Sequence, residues 1–172
     1  QKVLGVEQPR VGLANIGTEK TKGGPLQLEA YGLMEASSYH FIGNVEARDV
    51  PFGACDVLVA DGFTGNMLLK MYEGVAGAMM ANIKGIFKQN AITKLSALMI
   101  KNGLMDFKKR MDYTAFGGAP LLGISKPVIK AHGSSNAKAF CSAIRQAKQF
   151  SETGVIENIA NAVTKSAQAS EA

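Results

Sequence analysis

The chain has 172 residues, 47% of them hydrophobic and 19% charged, which suits one globular domain burying about 70% of its unfolded surface. Its net charge of +5 is regional: residues 84–110 hold Lys84, Lys88, Lys94, Lys101, Lys108, Lys109 and Arg110 against Asp106 alone, or +6, and the remainder sums to −1. That distribution excludes a nucleic-acid surface spread over the whole molecule, and no nucleic-acid partner is expected.

Taken in chain order, the elements alternate between strand and helix. Val11-Gly12-Leu13-Ala14-Asn15-Ile16 reads as a short buried strand. The loop Gly17 to Gly24 follows it, and then a helix with Pro25 in its first turn. Tyr39-His40-Phe41-Ile42-Gly43 is a second strand, left by the polar loop Asn44 to Asp49. Asp56-Val57-Leu58-Val59-Ala60 is a third, running into Asp61-Gly62-Phe63-Thr64-Gly65-Asn66 and a helix from Met67 to about Phe87. A last strand, Pro127-Val128-Ile129-Lys130, runs into Ala131-His132-Gly133-Ser134-Ser135-Asn136 and a helix from Ala137 to about Phe150, capped by Ser134, Ser135 or Asn136. Strands separated by helices predict an α/β fold with a largely parallel sheet and all four polar loops on one side, where such sheets form their ligand crevice. The expected organisation is a single domain over 1–163 with a flexible tail, 164–172.

The loops after the third and last strands share one design, an apolar strand turning through a Gly-rich segment into a helix. Glycine permits close backbone approach, and unpaired N–H groups at a helix start favour an anion. Lys22 and Arg48 can meet phosphate oxygens, Arg48 with a two-pronged fork. Asn66 and the N–H groups after Gly65 can hold an oxyanion, and His132 can donate a proton. Asp61 can orient a cation or His132, or bond its own following amides; Glu46 and Arg48 can equally form a structural ion pair; Gly62, Gly65 and Gly133 are candidate phosphate contacts, the alternative being that they only permit tight turns. Glu19, Asn44, Glu46, Thr64, Lys130, Ser134 and Ser135 complete the candidate phosphate and substrate contacts on the same loops. His40 is expected to pack or face solvent, and Met67, Met71, Met79 and Met80 to fill core.

Cys55 and Cys141 lack any CxxC or His-rich companion, so no metal site or disulfide framework is expected and both read as buried thiols. No apolar run approaches the roughly 18 residues of a membrane span and no signal-peptide pattern opens the chain, so a cytoplasmic location is expected. The start at Gln1, without Met, leads to the expectation that the chain begins inside a longer polypeptide or after a cleavage.

Within residues 88–112, Ala91, Ile92, Leu95, Leu98 and Met99 recur at helical spacing, and Leu104, Phe107 and Met111 repeat the pattern beside lysines. With Asn102-Gly103 as the turn, this predicts a projecting basic amphipathic hairpin. Its Leu98, Met99, Ile100, Leu104 and Met105 are candidates for contact with an anionic membrane surface, the alternative being that both stripes pack on the domain or on a second subunit.

The strings VGLANIGTEKTKGG, FIGNVEARD, DVLVADGFTGN, YTAFGGAPLLG and KPVIKAHGSSNAKAFCSAIRQA, in this order, resemble the carboxyl-terminal half of the PlsX family. These are the acyl-carrier-protein:phosphate acyltransferases of bacterial phospholipid synthesis. The resemblance implies transfer of a fatty acyl group from acyl carrier protein to inorganic phosphate. It also implies a three-layer α/β/α fold like that of isocitrate dehydrogenases and phosphotransacetylases, a homodimer, peripheral attachment to the membrane, and no metal or nucleotide cofactor. Two other readings stay open: a dinucleotide-binding domain, though no GxGxxG follows a strand, and a non-catalytic membrane-surface or dimerisation module.

Overall fold

Three parallel strands order the first part of the chain. β1 (Val11–Asn15) lies between β2 (Phe41–Glu46) and β3 (Val57–Val59). The computed structural model describes residues 5–110, 117–133 and 135–170, which divide into two compact units, Gly5–Gly77 and the residues from Ala78 onward.

Being central, β1 is apolar on both faces, with Leu13 4% and Ala14 7% exposed. Gly12 lets β2 close over it, since a Cβ there would meet Val45 Cγ2 at 2.4 Å. The β1–β2 pairing then slips by one residue, from Val11 opposite Phe41 to Leu13 opposite Asn44. Gly43, at φ +92°, supplies this bulge, a backbone angle natural to glycine, and consecutive Asn44 and Val45 are both buried behind it. α1 (Pro25–Glu35) makes the crossover between β1 and β2, opening on proline as predicted. It packs with buried Met34 and with Tyr31 edge-on to Phe41, ring centroids 5.1 Å apart.

A short 3-10 turn, Val50–Phe52, leads to β3. Arg10, just before β1, ties the two strands at their amino ends. Its Nε and Nη2 donate to the Asp56 carboxylate at 3.0 Å each, and its Nη1 and Nη2 reach the carbonyls of Ala54 and Gly53. The guanidinium holds the Asp56 carboxyl down to about 2. His40 is exposed beside this cluster and adds to the same depression. α2 (Gly62–Phe87) follows β3 at once, so Gly62 to Asn66 are helical where a loop was expected.

In the second unit, α3 (Ala91–Met99) is capped reciprocally: Asn90 Oδ1 accepts from Thr93 N at 2.9 Å, and Thr93 Oγ1 from Asn90 N at 3.1 Å. α4 (Lys101–Arg110) begins one residue after α3 ends. The break is at Ile100, bridged by bonds from Ile100 N to Ser96 O and from Leu104 N to Ile100 O. Asn102 and Gly103 lie inside α4, so the turn expected there is absent. Met111 lies outside the described residues.

β4 (Gly118–Leu121) and β5 (Val128–Ala131) pair antiparallel as a separate two-stranded sheet. The last strand therefore departs from the parallel sheet predicted for it. Its link to β4 is six residues, too short for the crossover that a parallel neighbour requires. α5 (Ala137–Glu152) packs on this pair and buries Ala139, Ala143 and Phe150. At Gly117, φ +79°, a Cβ would lie 2.4 Å from Ala143 N, which is why glycine stands where the strand meets the helix backbone. α6 (Val155–Ser170) follows Gly154 and runs through most of the segment expected as a tail. The architecture is thus α/β, with parallel strands confined to the first unit.

Candidate active site

The strand order β2-β1-β3 makes the carboxyl end of β1 a switch point, because the chain leaves β1 toward β2 and enters β3 on the other side. Open parallel sheets form ligand crevices at such points. A crevice of about 320 Å³ lies here, lined by Ala14, Asn15 and Ile16 of β1 and its exit, Gly23, Gly24 and Gln27 at the start of α1, Ala47 after β2, and Thr64 and Leu68 of α2. Three of the four loops expected together contribute to this lining; the fourth, Ala131 to Asn136, follows the antiparallel strand β5 in the second unit.

The loop Gly17 to Gly24 is held from within. Asn15 Nδ2 donates to Lys22 O at 3.0 Å and to Asn44 Oδ1 at 3.1 Å, while Asn44 Nδ2 donates to Glu19 O at 2.8 Å. Gln27 Oε1 accepts from Gly24 N at 3.1 Å. Asn44 is only 6% exposed, and its amide is engaged at both ends by these bonds. The loop's side chains carry the charge. Lys22 Nζ lies 3.8 Å from Glu19 Oε1, and Lys20 pairs with Glu35 and sits 5.7 Å from the Tyr31 ring centroid.

On the second loop, Arg48 Nη2 bonds Glu46 Oε2 at 2.7 Å and its Nε lies 3.6 Å from Asp49 Oδ1, so the ion pair weighed from sequence is formed. Arg48 nevertheless keeps 78% of its side chain exposed, leaving donors for a ligand.

On the third, Asp61 accepts from Phe63 N at 3.0 Å, from Thr64 N at 2.9 Å and from Thr64 Oγ1 at 2.5 Å. The Thr64 hydroxyl, then the backbone bonds, push its carboxyl below the ordinary carboxylate range. Asp61 is thus the cap of α2, an internal anion on the N–H groups that an incoming anion would use. Gly65 N bonds back to Asp61 O at 2.8 Å, and Asn66 lies inside the helix, where N–H groups bond carbonyls four residues earlier. That leaves the Asn66 side chain, rather than a Gly62–Gly65 backbone cradle, as the donor on this element.

The second unit holds the remaining candidates. Lys130 is exposed on β5; His132 and Gly133 are exposed in the turn after it, where Ser135 N bonds His132 O at 2.9 Å. Ser134 lies outside the described residues. The helix cap is Asn136, whose Oδ1 accepts from Ala139 N at 2.9 Å.

A groove of about 700 Å³ opens between the end of α2 and the α3–α4 pair, with Met80, Phe87, Ala97 and Leu104 on its walls and Lys84, Lys88 and Lys94 among them. Leu104 therefore faces this groove, apart from the other membrane candidates. Leu98, Met99, Ile100 and Met105 are exposed, as are Ile92 and Leu95. The stripe of α3 is left uncovered, contrary to packing on its own domain. Met67, Met71 and Met79 are exposed and do not fill a core, and Cys141 is exposed rather than buried. Cys55 is half-buried, and burial pushes its thiol up. Among the described residues no three His, Cys, Asp or Glu side chains gather as metal ligands, and no helix is long and apolar enough to cross a membrane.

Sequence reasoning overlooked Asn15, Ile16, Gln27 and Leu68. Asn15 was findable, since an amide ending an apolar strand at a Gly-rich loop has no packing reason to be there.

A family model described as fatty acid synthesis protein matches residues 1–158. The chain is 53% identical over 163 residues, 95% of its length, to a phosphate acyltransferase of Lysinibacillus sphaericus. It is 52% identical over 159 residues, 92% of its length, to one of Thermoanaerobacter pseudethanolicus, and 52% over 165 residues, 96%, to one of Brevibacillus brevis. It covers 49%, 48% and 49% of these proteins, so the chain spans about half the length of the curated relatives it matches.

Proposed function

Because this chain belongs to the PlsX family of fatty acid synthesis proteins, we propose that it takes part in moving a fatty acyl group from acyl carrier protein to inorganic phosphate, giving acyl phosphate for phospholipid synthesis. The observation that carries this reading is the crevice at the β1 switch point, with Lys22 and Arg48 next in sequence to its lining residues Gly23 and Ala47, in a chain half identical to phosphate acyltransferases.

The chemistry asks little of a base. Phosphate is anionic near neutrality; one of its oxygens attacks the thioester carbonyl carbon, the C–O bond forms, the C–S bond breaks, and the thiolate leaves with its electron pair and takes up a proton. A thiol of pKa about 8.5 is a competent leaving group. The requirement is for cations to seat phosphate and for donors to stabilise the tetrahedral oxyanion. Lys22 and Arg48 supply the first and the Asn66 amide the second. Glu46 aims Arg48, Asp61 and Thr64 hold the start of α2, and Asn44 acts through the loop it binds. His132 is the proton donor to sulfur on the chemistry of its imidazole. The finer fold, an α/β/α arrangement of the isocitrate dehydrogenase and phosphotransacetylase kind, and a homodimeric assembly belong to the same reading.

Arg48→Ala tests it. Loss of a charged hydrogen bond, about 1.5–3 kcal/mol, should raise the phosphate KM by roughly ten-fold to a hundred-fold with folding intact. Unchanged phosphate saturation would remove Arg48 from the site.

A cytoplasmic enzyme held peripherally on an anionic membrane accounts for the exposed Leu98, Met99, Ile100 and Met105 beside lysines. Leu98→Glu with Ile100→Glu should abolish sedimentation with anionic vesicles. Undiminished binding would assign the stripe to a second subunit.

A further inference from the structure

We propose that Asn15 and Asn44 form a neutral amide clasp that holds the loop Gly17 to Gly24 in its anion-receiving shape, which makes Asn15 a positioning residue of the reaction; this rests on the acyl-transfer reading above. Two side chains from neighbouring strands bond each other and, between them, two carbonyls of one loop, those of Glu19 and Lys22. The bulge at Gly43 places Asn44 at the buried end of this chain of bonds. Asn15 Oδ1 accepts from Ile16 N at 2.8 Å, fixing the amide's orientation. Gly23 closes the arrangement: at φ +95°, a Cβ there would lie 2.9 Å from Asn15 Oδ1 and 2.7 Å from Gln27 Cβ, so any larger residue must displace the clasp or the start of the helix.

The chemistry of the clasp suits its place. A carboxylate at position 15 or 44 would hold loop N–H groups but repel an anionic substrate, and it could not donate to a carbonyl. A lysine or arginine could donate but could not accept, and at position 44 it would add an uncompensated charge in a buried place. An amide donates, accepts and carries no charge. Lys22, whose own carbonyl accepts from Asn15, projects its side chain from a point of the backbone that the clasp holds.

The test compares Asn15→Ala, isosteric Asn44→Leu and the double variant in the acyltransferase carrying this chain. Each single change removes the Asn15–Asn44 bond together with a bond to a loop carbonyl and should raise the phosphate KM roughly ten-fold, with little change in kcat or in the acyl-donor KM. The double should be no worse than either single, because the two amides act as one unit. Hydrogen exchange should quicken at residues 17–24 while β1 and α1 stay protected. An unchanged phosphate KM, additive losses in the double, or loss of protection throughout the sheet would overturn the clasp as a positioning device. Absence of phosphate-dependent transfer in the unmodified enzyme would sink the acyl-transfer reading instead. The exchange measurement needs no turnover: quickening confined to 17–24 then upholds the clasp, and any other pattern overturns it.

Discussion

β1 is pinned at both ends, by opposite kinds of chemistry. At its amino end a guanidinium and a carboxylate, Arg10 and Asp56, tie it to β3 across 46 residues of sequence. At its carboxyl end two uncharged amides, Asn15 and Asn44, tie it to β2 and to the loop beyond. Both devices lock neighbouring strands, and both reach backbone carbonyls as well as side chains. The difference lies in what else must come to each end. Arg10 and Asp56 are not among the residues that line the crevice, which lies at the carboxyl end. At the carboxyl end an anion is expected, and any fixed charge spent on holding the loop would either repel it or bind it in the wrong place. A charged pair holds the end away from the crevice, whereas the loop Gly17 to Gly24 beside the crevice is held by uncharged amides.

Three changes would break or sharpen this contrast. The largest effect should come from Leu13→Ala, which removes the buried centre of the strand both ends share. Large-to-small core changes cost about 2–5 kcal/mol, and urea unfolding should show that loss with both ends released together. A loss below about 1 kcal/mol would show that β1 is not the common frame.

Gly23→Ala comes next. It combines a positive φ with two contacts under 3 Å and should cost about 1–3 kcal/mol, felt at the carboxyl end only. Amide exchange read residue by residue checks this: quickened exchange at the Arg10–Asp56 end as well would mean that the two locks are not independent.

The smallest effect is the response to acid. Asp56 ionises more readily folded, at about 2, than at its ordinary 3.8, so its share of stability is fully present above the ordinary value. That share fades as pH falls between the two values. The pair is solvent-exposed and its contribution modest. Asp56→Asn should flatten the melting temperature against pH over that window, whereas Asn15→Ala should leave its slope untouched. An unaltered slope in Asp56→Asn would mean that the ion pair contributes nothing.

The parts of this molecule legible in its sequence are those specified by near neighbours. Apolar runs gave the three parallel strands, Pro25 marked the start of α1, and the Asn136 region supplied the cap of α5. Glu46 and Arg48, two residues apart, were readable as an ion pair. Other features depended on partners far away in the chain. Arg10 meets Asp56 and Asn15 meets Asn44 only after the strands have paired, and neither pairing leaves a local pattern. β5 was recognised as a strand but misassigned to the parallel sheet, because its partner β4 is a four-residue strand opened by glycine and carrying proline. The start of α2 looks like a loop in the sequence because Gly62 and Gly65 are poor helix formers; the Asp61 cap and the tertiary setting outweigh that propensity. The α3 stripe was readable as amphipathic, but periodicity alone does not say what an apolar face meets, and here it is bare.

An uncharged clasp has a further consequence for measurement. Asn15 and Asn44 neither gain nor lose a proton over the range in which phosphate exchanges its second one. A bend in anion affinity near neutrality would then not come from titration of the clasp, so binding measured against pH, with Asn15→Ala beside the unmodified protein, reads the preference of the crevice among phosphate species apart from the hold on its loop.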